Sequence, residues 1–477
     1  MKFRIVAPKA VQISLASLLA LVFTFGSFTL SNAAYAASNL TVATIDGATT
    51  YQAIDGFGFS EAFGRADSMY NASPALHKQM LDLLFNPATG AGFTILRNII
   101  SSDSTNTIEP NSPGSPTAPA QYVWNGYDTG QVWLSQQAQL YGVRQIYADA
   151  WSAPGFMKTS GTEANGGTLC GVPGATCSSG DWRQAYANYL AQYIRDYLSV
   201  GVRIATVGFL NEPNLTTSYS SMVVDPAQAA DFVKVLGPTL RAGRLPVQIA
   251  CCDAEGWDLA PGYTSAIMND PQARAYVHTM TSHGYTGAPS FPLDTGNKHI
   301  WQTEWANFAT FDPAWDDGTD AAGFTWAQRI YTGLTAGNLS AFLHWWGVNT
   351  SDTNSGLIHF NQATNTLEVA KRFWAFTNYS RFIRPGAVRI GASSSDSSLE
   401  TAAFRNRDGS TTIVVLNTAS SDATASFALQ HIHGRIAIPY LTNASNDTAR
   451  QTPLLFHGRT FSGVVPARSL ITYQIPA

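Results

Sequence analysis

An alternation of short β-rich runs with amphipathic helical stretches, repeated eight times, most limits how this chain can fold. The eight strand-like runs lie at residues 53–59, 93–100, 144–151, 204–210, 247–252, 277–282, 299–305 and 341–348. Apolar residues spaced three or four apart predict helices between most of them, at residues 75–84, 182–198, 227–240, 325–334 and 369–376. The sixth interval, 284–298, is rich in Gly and Pro and is predicted to lack a helix. This pattern predicts an α/β fold, a closed (β/α)8 TIM barrel over residues 53–380.

The segment after the first predicted strand argues against an open dinucleotide-binding sheet. Such a sheet carries a phosphate loop with three spaced glycines, and this loop opens a helix. Here Gly56-Phe57-Gly58-Phe59-Ser60 lacks both the third glycine and the helix. The closed barrel is therefore the favoured architecture.

Beyond residue 380 the sequence pattern changes to short predicted strands separated by turn residues. Six such runs lie at residues 388–390, 399–404, 411–416, 425–429, 436–441 and 470–475. Their spacing predicts a side β-sandwich domain made of residues 37–52 plus 381–477. Runs at 40–44 and 49–52 are expected to add a strand or two to it.

Composition narrows the class of protein further. Hydrophobic residues make up 45% of the chain and charged residues 13%, so a large core is expected rather than disorder. The 28 basic and 32 acidic side chains leave a formal net charge of −4, which disfavours nucleic-acid binding. The 12 Trp, 19 Tyr and 25 Phe residues could fill a core or stack on sugar rings.

The amino-terminal segment has the pattern of an export signal. Residues 1–36 combine a basic start with an uncharged apolar run over 13–30, followed by Ala34-Tyr35-Ala36, a small-x-small cleavage site. We therefore expect a signal peptide and a secreted, extracellular protein with no membrane association after cleavage.

The four cysteines suit that compartment. Cys170 and Cys177 flank a loop rich in Gly, Pro and Ser and are candidates for a disulfide. Cys251 and Cys252 are adjacent and could form a vicinal disulfide, remain thiols or pair elsewhere, because sequence does not choose among the three connectivities. No His or Cys follows at zinc-ligand spacing, so no metal site is predicted.

Two glutamates stand where a barrel places its chemistry, at the carboxyl ends of strands. The fourth predicted strand closes with Asn211-Glu212-Pro213 and the seventh with Thr303-Glu304-Trp305. Either glutamate alone could be an ordinary solvated side chain. Two at corresponding rim positions favour a catalytic carboxylate pair.

Asn-Glu-Pro on strand four with a Glu on strand seven resembles the large clan of retaining glycosidases built on such barrels. More narrowly, the sequence resembles glycoside hydrolase family 30 from about residue 40 to the carboxyl terminus. The stretches that carry the resemblance are residues 54–58, 152–158, 282–285 and 379–386. Residues 251–257 and 344–347 look most like the mainly fungal xylanase and glucuronoxylanase subfamily.

The resemblance implies a double displacement. Glu304 would be the nucleophile, Glu212 the acid/base, and Asn211 the group that binds the sugar 2-hydroxyl, unless it is a structural amide. Retaining chemistry needs two carboxyl groups about 5–5.5 Å apart. No metal or cofactor is implied, because carboxylates supply acid, base and nucleophile.

Aromatic residues are implied around this pair. Trp151 and Trp346 would stack on the sugar in the cleavage subsite, and Tyr285 would hydrogen-bond the Glu304 carboxylate. Packing inside the barrel is the alternative for each of the three. His283 is read as a core histidine without a chemical role.

Two arginines are singled out. Arg65 follows the first strand and could bind the glucuronic acid branch of xylan; pairing with Glu61 or Asp67 at the surface is the alternative. Arg97, near the end of the second strand, either orients rim carboxylates or forms a structural ion pair.

The function expected on this basis is hydrolysis of β-1,4-xylan, and of glucuronoxylan within the chain, by a monomer whose partner is the polysaccharide. Alternatives within the family are release of xylobiose from a chain end and β-1,6-glucanase or β-1,6-galactanase activity. A carbohydrate-binding protein without activity would be expected to have lost one of the glutamates.

Overall fold

The computed structural model describes residues 41–103 and 105–477. The predicted signal peptide, residues 1–36, lies outside the described residues. The first strand, β1 (Thr41–Ala53), spans both runs expected near the start and joins the second of two ten-stranded sheets.

The first sheet contains the predicted barrel. Its eight parallel strands follow chain order, and the last pairs with the first, which closes the barrel. These strands are β2 (Gly56–Ser60), β3 (Ile95–Ile100), β4 (Gln145–Ala150), β5 (Thr206–Val207), β6 (Gln248–Ala254), β7 (Val277–Ser282), β8 (His299–Gln302) and β9 (Ala341–Asn349). The α/β class and the barrel are thereby confirmed.

Helices lie between most of the barrel strands. They are α1 (Arg65–Tyr70), α2 (Pro74–Phe85), α3 (Gln131–Leu140), α4 (Arg183–Ser199), α5 (Pro226–Ala242), α6 (Ala260–Asn269), α7 (Pro271–Tyr276), α8 (Gly323–Thr335) and α9 (Lys371–Ser380). All five predicted helices are present, and the interval 284–298 has none, as expected. Helices α1, α3, α6 and α7 were not predicted.

A hairpin that the sequence did not signal extends the barrel sheet. It consists of β10 (Gly356–Asn361), which runs parallel to β9, and β11 (Thr366–Val369), which is antiparallel to β10. It follows the strand that carries Trp346 and therefore borders the mouth of the barrel.

The second sheet forms the β-sandwich. Besides β1 it contains β12 (Val388–Ser394), β13 (Leu399–Arg405), β14 (Thr411–Asn417), β15 (Ala423–Gln430), β16 (Ile436–Thr442), β17 (Ala449–Arg450), β18 (Leu454–Leu455), β19 (Thr460–Val465) and β20 (Ser469–Ile475). Strand β1 runs antiparallel to β12 and parallel to β15, so the amino-terminal strand completes a sheet built from the carboxyl-terminal segment. The predicted domain limits at 52/53 and 380/381 stay a prediction, because residues 40–477 form a single compact unit.

The fourth barrel strand differs most from its predicted extent. The run 204–210 was expected to be a strand, but only Thr206 and Val207 keep ladder pairing. The Gly208 N–H still donates to the carbonyl of Ala148 at 2.8 Å, and residues 209–213 then turn over the barrel mouth. Glu212 there has a left-handed φ of 45°, and its N–H donates to the carbonyl of Asp253 at 2.8 Å.

Both cysteine pairs are joined. Cys170 and Cys177 form the expected disulfide, and Cys251 and Cys252 form a vicinal disulfide across a cis peptide bond. Within the described ranges, no helix is long and apolar enough to cross a membrane.

Candidate active site

A cavity of about 490 Å³ opens at the carboxyl ends of the barrel strands. It is lined by Phe63, Trp151, Glu212, Leu215, Tyr219, Glu255, Tyr285, Glu304, Phe308, Trp345 and Trp346. Aromatic rings therefore form most of the wall, and carboxylates are the main polar groups. Flat apolar faces and a few polar groups are what a sugar ring requires for binding.

Glu212 and Glu304 face each other in this cavity. One carboxylate oxygen of Glu212 lies within 4.8 Å of one carboxylate oxygen of Glu304. Their side chains are largely buried, with exposed fractions of 8% and 5%. Retaining glycosidases hold their carboxyl groups about 5–5.5 Å apart, and inverting enzymes need about 6.5–9.5 Å. The separation therefore suits attack by a carboxylate rather than by an interposed water.

Both oxygens of Glu304 are held. Arg97 Nη1 donates to Oε2 at 2.5 Å, and the Tyr285 hydroxyl donates to Oε1 at 2.8 Å. The expected contact of Tyr285 is thereby confirmed. Burial raises the pKa of Glu304, while the positive charges of His283 and Arg97 act against that rise. The two donors fix the orientation of the carboxylate and stabilise its anionic form.

Arg97 is fully buried and joins several strand ends. Besides Glu304, its Nη2 donates to Asp149 and Asp253 at 2.8 Å and to Asn211 Oδ1 at 2.6 Å. Burial opposes its charge, but the carboxylates of Asp253, Glu304 and Asp149 hold the pKa of Arg97 well above its ordinary value. Both interpretations of Arg97 therefore apply, since it orients a rim carboxylate and also forms a structural ion network.

The pKa values of the two aspartates in that network are shifted in opposite directions. Burial and the neighbouring Asp253 raise the pKa of Asp149 well above its usual range. Burial acts the same way on Asp253, but Arg97 and His283 overcome it and hold the pKa of Asp253 below its usual range. Asp149 therefore holds a proton more tightly than Asp253, whose neighbours Arg97 and His283 favour the anion.

His283 is part of the site, so its interpretation as a core histidine without a role was incomplete. Its Nδ1 lies 3.0 Å from Glu212 Oε1, and its Nε2 lies 3.8 Å from Glu304 Oε2. Burial disfavours its charge, but Glu304, Asp253 and Glu212 together raise the pKa of His283 to about 10. Its position one residue after a strand end, two before Tyr285, was the signal that could have placed it at the rim.

The predicted sugar-binding residues gather around the carboxylates. Trp151 is 3% exposed and lies under the Arg97 guanidinium, whose carbon is 4.4 Å from the ring centroid. Trp346 also lines the cavity. Asn211 accepts from Arg97 through Oδ1, and its Nδ2 donates to none of the described residues. Their proposed roles toward the sugar stay predictions.

Several aromatic wall residues escaped the sequence reasoning. Phe63 meets Trp151 and Trp345 edge to face, at centroid distances of 5.7 and 6.1 Å, and also meets Tyr219 at 5.9 Å. Phe308 packs against Tyr285 at 5.8 Å. Phe63, Tyr219 and Phe308 lie in loops that follow strands, where no periodicity marks them.

Arg65 lies beside the cavity, where its side chain contacts Trp346 and Ser351. Its guanidinium carbon is 4.2 Å from the Trp346 ring centroid, and its Nη2 is 3.4 Å from Ser351 Oγ. Its Nε is buried without a hydrogen-bond partner, and neither Glu61 nor Asp67 pairs with it among the described residues. Burial lowers the pKa of Arg65 somewhat, against the attraction of Glu61.

Glu212, His283 and Glu304 are also the one group in the described part of the chain whose spacing could suit a metal ion. A cation there would compete with Arg97 for Glu304 Oε2 and would sit beside the charged ring of His283. The donor set therefore fits a metal poorly.

A closed β/α barrel with two facing, buried carboxylates in an aromatic-lined cavity defines the class: the protein is a glycoside hydrolase. Residues 126–311 match the TIM-barrel domain of glycosyl hydrolase family 30, and residues 386–473 match the β-sandwich domain of that family. The chain belongs to glycosyl hydrolase family 30, as its sequence motifs indicated.

Three relatives show the range within the family. The catalytic domain of GH30 xylanase C from Talaromyces cellulolyticus has 43% sequence identity and a TM-score of 0.87, covering 91% of this chain and all of that chain. An endo-1,6-β-D-glucanase of Aspergillus fumigatus is 25% identical over 468 residues, 89% of this chain and 86% of its own. A glucuronoxylanase of Bacillus subtilis is 23% identical over 300 residues, 61% of this chain and 66% of its own.

Proposed function

We propose that this enzyme hydrolyses β-1,4-xylosidic bonds within glucuronoxylan, with retention of configuration. The observation that supports retention is the short distance between the two carboxyl groups, since one oxygen of each lies within 4.8 Å of the other. The choice of xylan is supported by the 43% identity to a family 30 xylanase over nearly the whole chain.

In the first step, Glu212 donates its proton to the glycosidic oxygen while Glu304 attacks the anomeric carbon. The bond between that carbon and the leaving oxygen breaks, and an ester to Glu304 forms. Arg97 and Tyr285 hold Glu304 in line for this attack, since each binds one of its oxygens. His283 contacts Glu212 and keeps the acid directed into the cavity.

In the second step, Glu212 acts as the base. The ester removes the negative charge of Glu304, so the carboxylate of Glu212 no longer faces a like charge. Glu212 takes a proton from water, the water oxygen bonds to the anomeric carbon, and the ester bond to Glu304 breaks. The enzyme returns to its starting protonation.

Four residues would bind the sugar at the cleavage point. Trp151 and Trp346 line the cavity, and Asn211 Nδ2 remains able to donate to the 2-hydroxyl. Tyr285 binds the nucleophile and lies within reach of the same sugar. Hydrogen bonds to the 2-hydroxyl strengthen in the transition state of such reactions, which gives Asn211 a larger part than simple binding.

Arg65 would recognise the glucuronic acid branch. An arginine fork binds a carboxylate through two parallel hydrogen bonds, and this guanidinium has a buried nitrogen without a partner beside the cleavage cavity. Arg65→Ala should lower kcat/KM on glucuronoxylan by about tenfold or more while sparing unsubstituted xylan, because a charged hydrogen bond contributes about 1.5–3 kcal/mol. Arg195→Ala, at an exposed position on α4, is the matched control. Equal losses on both xylans would remove this role from Arg65.

A β-1,6-glucanase is the second candidate, favoured by the relative from Aspergillus fumigatus that spans 89% of this chain. Product analysis on glucuronoxylan, linear xylan and β-1,6-glucan separates the candidates, with Glu304→Gln as the inactive control. Internal xylan fragments support the proposal, and xylobiose as the sole product would replace endo by exo action. Cleavage of β-1,6-glucan alone would keep the mechanism and overturn the substrate.

We also propose that the enzyme acts outside the cell. Two disulfides fit an oxidising compartment, in line with the export pattern of residues 1–36. Amino-terminal sequencing of the protein from culture medium should begin at residue 37. An intact Met1 in a cytoplasmic fraction would contradict this.

A further inference from the structure

The end of β9 departs from regular strand geometry at the active site. Residues Phe59 and Ser60 of β2 pair with His344 and Trp346 of β9, so Trp345 is an extra residue in the ladder. Successive side chains of a regular strand point to opposite faces, whereas a bulge changes that alternation. Here the two neighbouring indoles stack, with centroids 5.0 Å apart and planes 23° apart, and both line the cavity.

The bulge leaves backbone donors that the neighbouring strand cannot satisfy. Strand β2 ends at Ser60, while β9 continues to Asn349. A buried N–H without a partner is costly, so some other acceptor is needed. Glu61, the residue directly after β2, provides it: its Oε1 accepts from the Val348 N–H at 2.6 Å. The adjacent Gly347 backbone also favours the ionised form of this carboxyl.

Gly347 allows this contact. A Cβ at that position would lie 2.5 Å from a ring carbon of Phe59 and 2.7 Å from Glu61 Oε1. Any side chain there would push the carboxyl away from the backbone it binds. The glycine and the glutamate therefore act together on the segment that follows the two tryptophans.

The geometry points to Glu61 as a positioning residue that acts through the Trp345–Trp346 pair. It extends β2 by one side-chain hydrogen bond and so fixes the bulged end of β9, which presents both indoles to the substrate. This inference rests on the proposed glycosidase function of the cavity. Glu61 itself is 1% exposed and does not line the cavity, so it acts without touching the sugar.

The contact needs an oxygen acceptor rather than a charge. Burial raises the pKa of Glu61 well above its ordinary value, against the opposing influence of Val348, Arg65 and Gly347, and its Oε2 has no partner among the described residues. A carboxamide at this position should therefore keep the hydrogen bond from Val348, whereas a hydrocarbon side chain of similar size should lose it. Glu61→Gln and Glu61→Leu form the matched pair.

In Glu61→Leu we expect KM to rise about tenfold on the polysaccharide that the enzyme cleaves, with kcat changed less than about threefold. The reason is that the variant loses sugar-binding energy that the bound substrate and the transition state share equally. Glu61→Gln should keep the wild-type KM. A purely structural role would instead lower the fraction of active enzyme and leave KM unchanged. Asp128→Asn, which alters a buried carboxyl held by Tyr193 and Tyr197, is the control for destabilisation alone.

Two further measurements decide the case. The stacked indoles should give an exciton couplet in far-ultraviolet circular dichroism, present in wild type and Glu61→Gln and lost in Glu61→Leu. In a Trp346→Phe background, Glu61→Leu should have little further effect on KM, because coupled residues are not additive. A retained couplet with wild-type KM in Glu61→Leu, or additive effects in the double variant, would overturn the role. The couplet needs no substrate, so a failure on xylan would contradict the proposed function alone.

Discussion

The two ends of the same barrel carry cavities of similar size and very different chemistry. The cavity at the carboxyl ends of the strands has about 490 Å³ and the one at the amino ends about 540 Å³. The latter is lined by Arg241, Tyr276, His278, Lys298 and His299 and their neighbours. Among the described residues, Lys298 there donates only to backbone carbonyls, at 2.6 and 2.8 Å.

The two ends of the barrel differ in how deeply their charged side chains are buried. At the mouth, Arg97, Asp149, Asp253 and His283 are all completely buried. At the base, Arg241 and His278 are exposed to solvent. Desolvated charges held close together shift each other's pKa values, and such groups mark functional sites better than volume does. The cavity at the base is slightly larger, but its described lining residues lack a comparable cluster of buried charged groups.

The largest expected contrast concerns the nucleophile. Glu304→Gln should lower kcat on the order of 10⁴-fold, because the covalent step loses its attacking carboxylate. Arg241→Ala at the base should change kcat less than about twofold. Steady-state kinetics on xylan checks both, with thermal unfolding to confirm that each variant is folded. More than a tenth of wild-type activity in Glu304→Gln would refute its assignment.

Arg97 offers the second contrast, in stability. Arg97→Met leaves buried carboxylates without their counter-ion and should lower the free energy of unfolding by about 3–5 kcal/mol. Arg241→Ala, which removes an exposed arginine over Tyr276, should cost about 0.5 kcal/mol or less. Urea unfolding measures both. Equal effects of the two substitutions would erase the distinction between the ends.

Histidines at the two ends should give opposite pH dependence. At the mouth, neighbouring acids raise the pKa of His283 to about 10, so the folded state binds the extra proton and stability falls between about pH 6.5 and 10. At the base, partial desolvation of the mainly exposed His278 and the adjacent His299 lower the pKa of His278, so stability rises as the pH increases toward 6.5.

Substitution tests this sign difference. His283→Asn should lower the free energy of unfolding at pH 6 by about 1.5–3 kcal/mol, with the deficit shrinking toward pH 10. His278→Asn should instead flatten the dependence below pH 6.5. Urea unfolding across this pH range measures both slopes, and slopes of the same sign would contradict the assigned protonation states.

The smallest expected effect is at Tyr285. Tyr285→Phe removes the hydroxyl that donates to Glu304 Oε1 at 2.8 Å, and kcat should fall about tenfold, as expected for one hydrogen bond to a charged group. Tyr276→Phe at the base is the control and should leave kcat unchanged. A normal kcat in Tyr285→Phe would mean that Arg97 alone orients the nucleophile.

Sequence reasoning found all eight barrel strands because apolar runs of strand length are local signals. It overextended the fourth strand, where Thr206 and Val207 alone keep ladder pairing. It missed α6, whose first turn contains Gly262, a poor helix former. Tertiary packing explains both differences. The end of the fourth strand turns into the barrel mouth, and helix α6 packs against α5.

Residue types and their order along the chain determined the barrel class, the β-sandwich, the family and the two glutamates at strand ends. These are properties of periodicity and short motifs, which each segment carries alone. Tertiary structure decided that His283 contacts Glu212, that Arg97 joins Glu304 to two aspartates, and that Trp345 and Trp346 stack on one side. Closure of the barrel brings together strand ends far apart in sequence, and no local pattern records those distances.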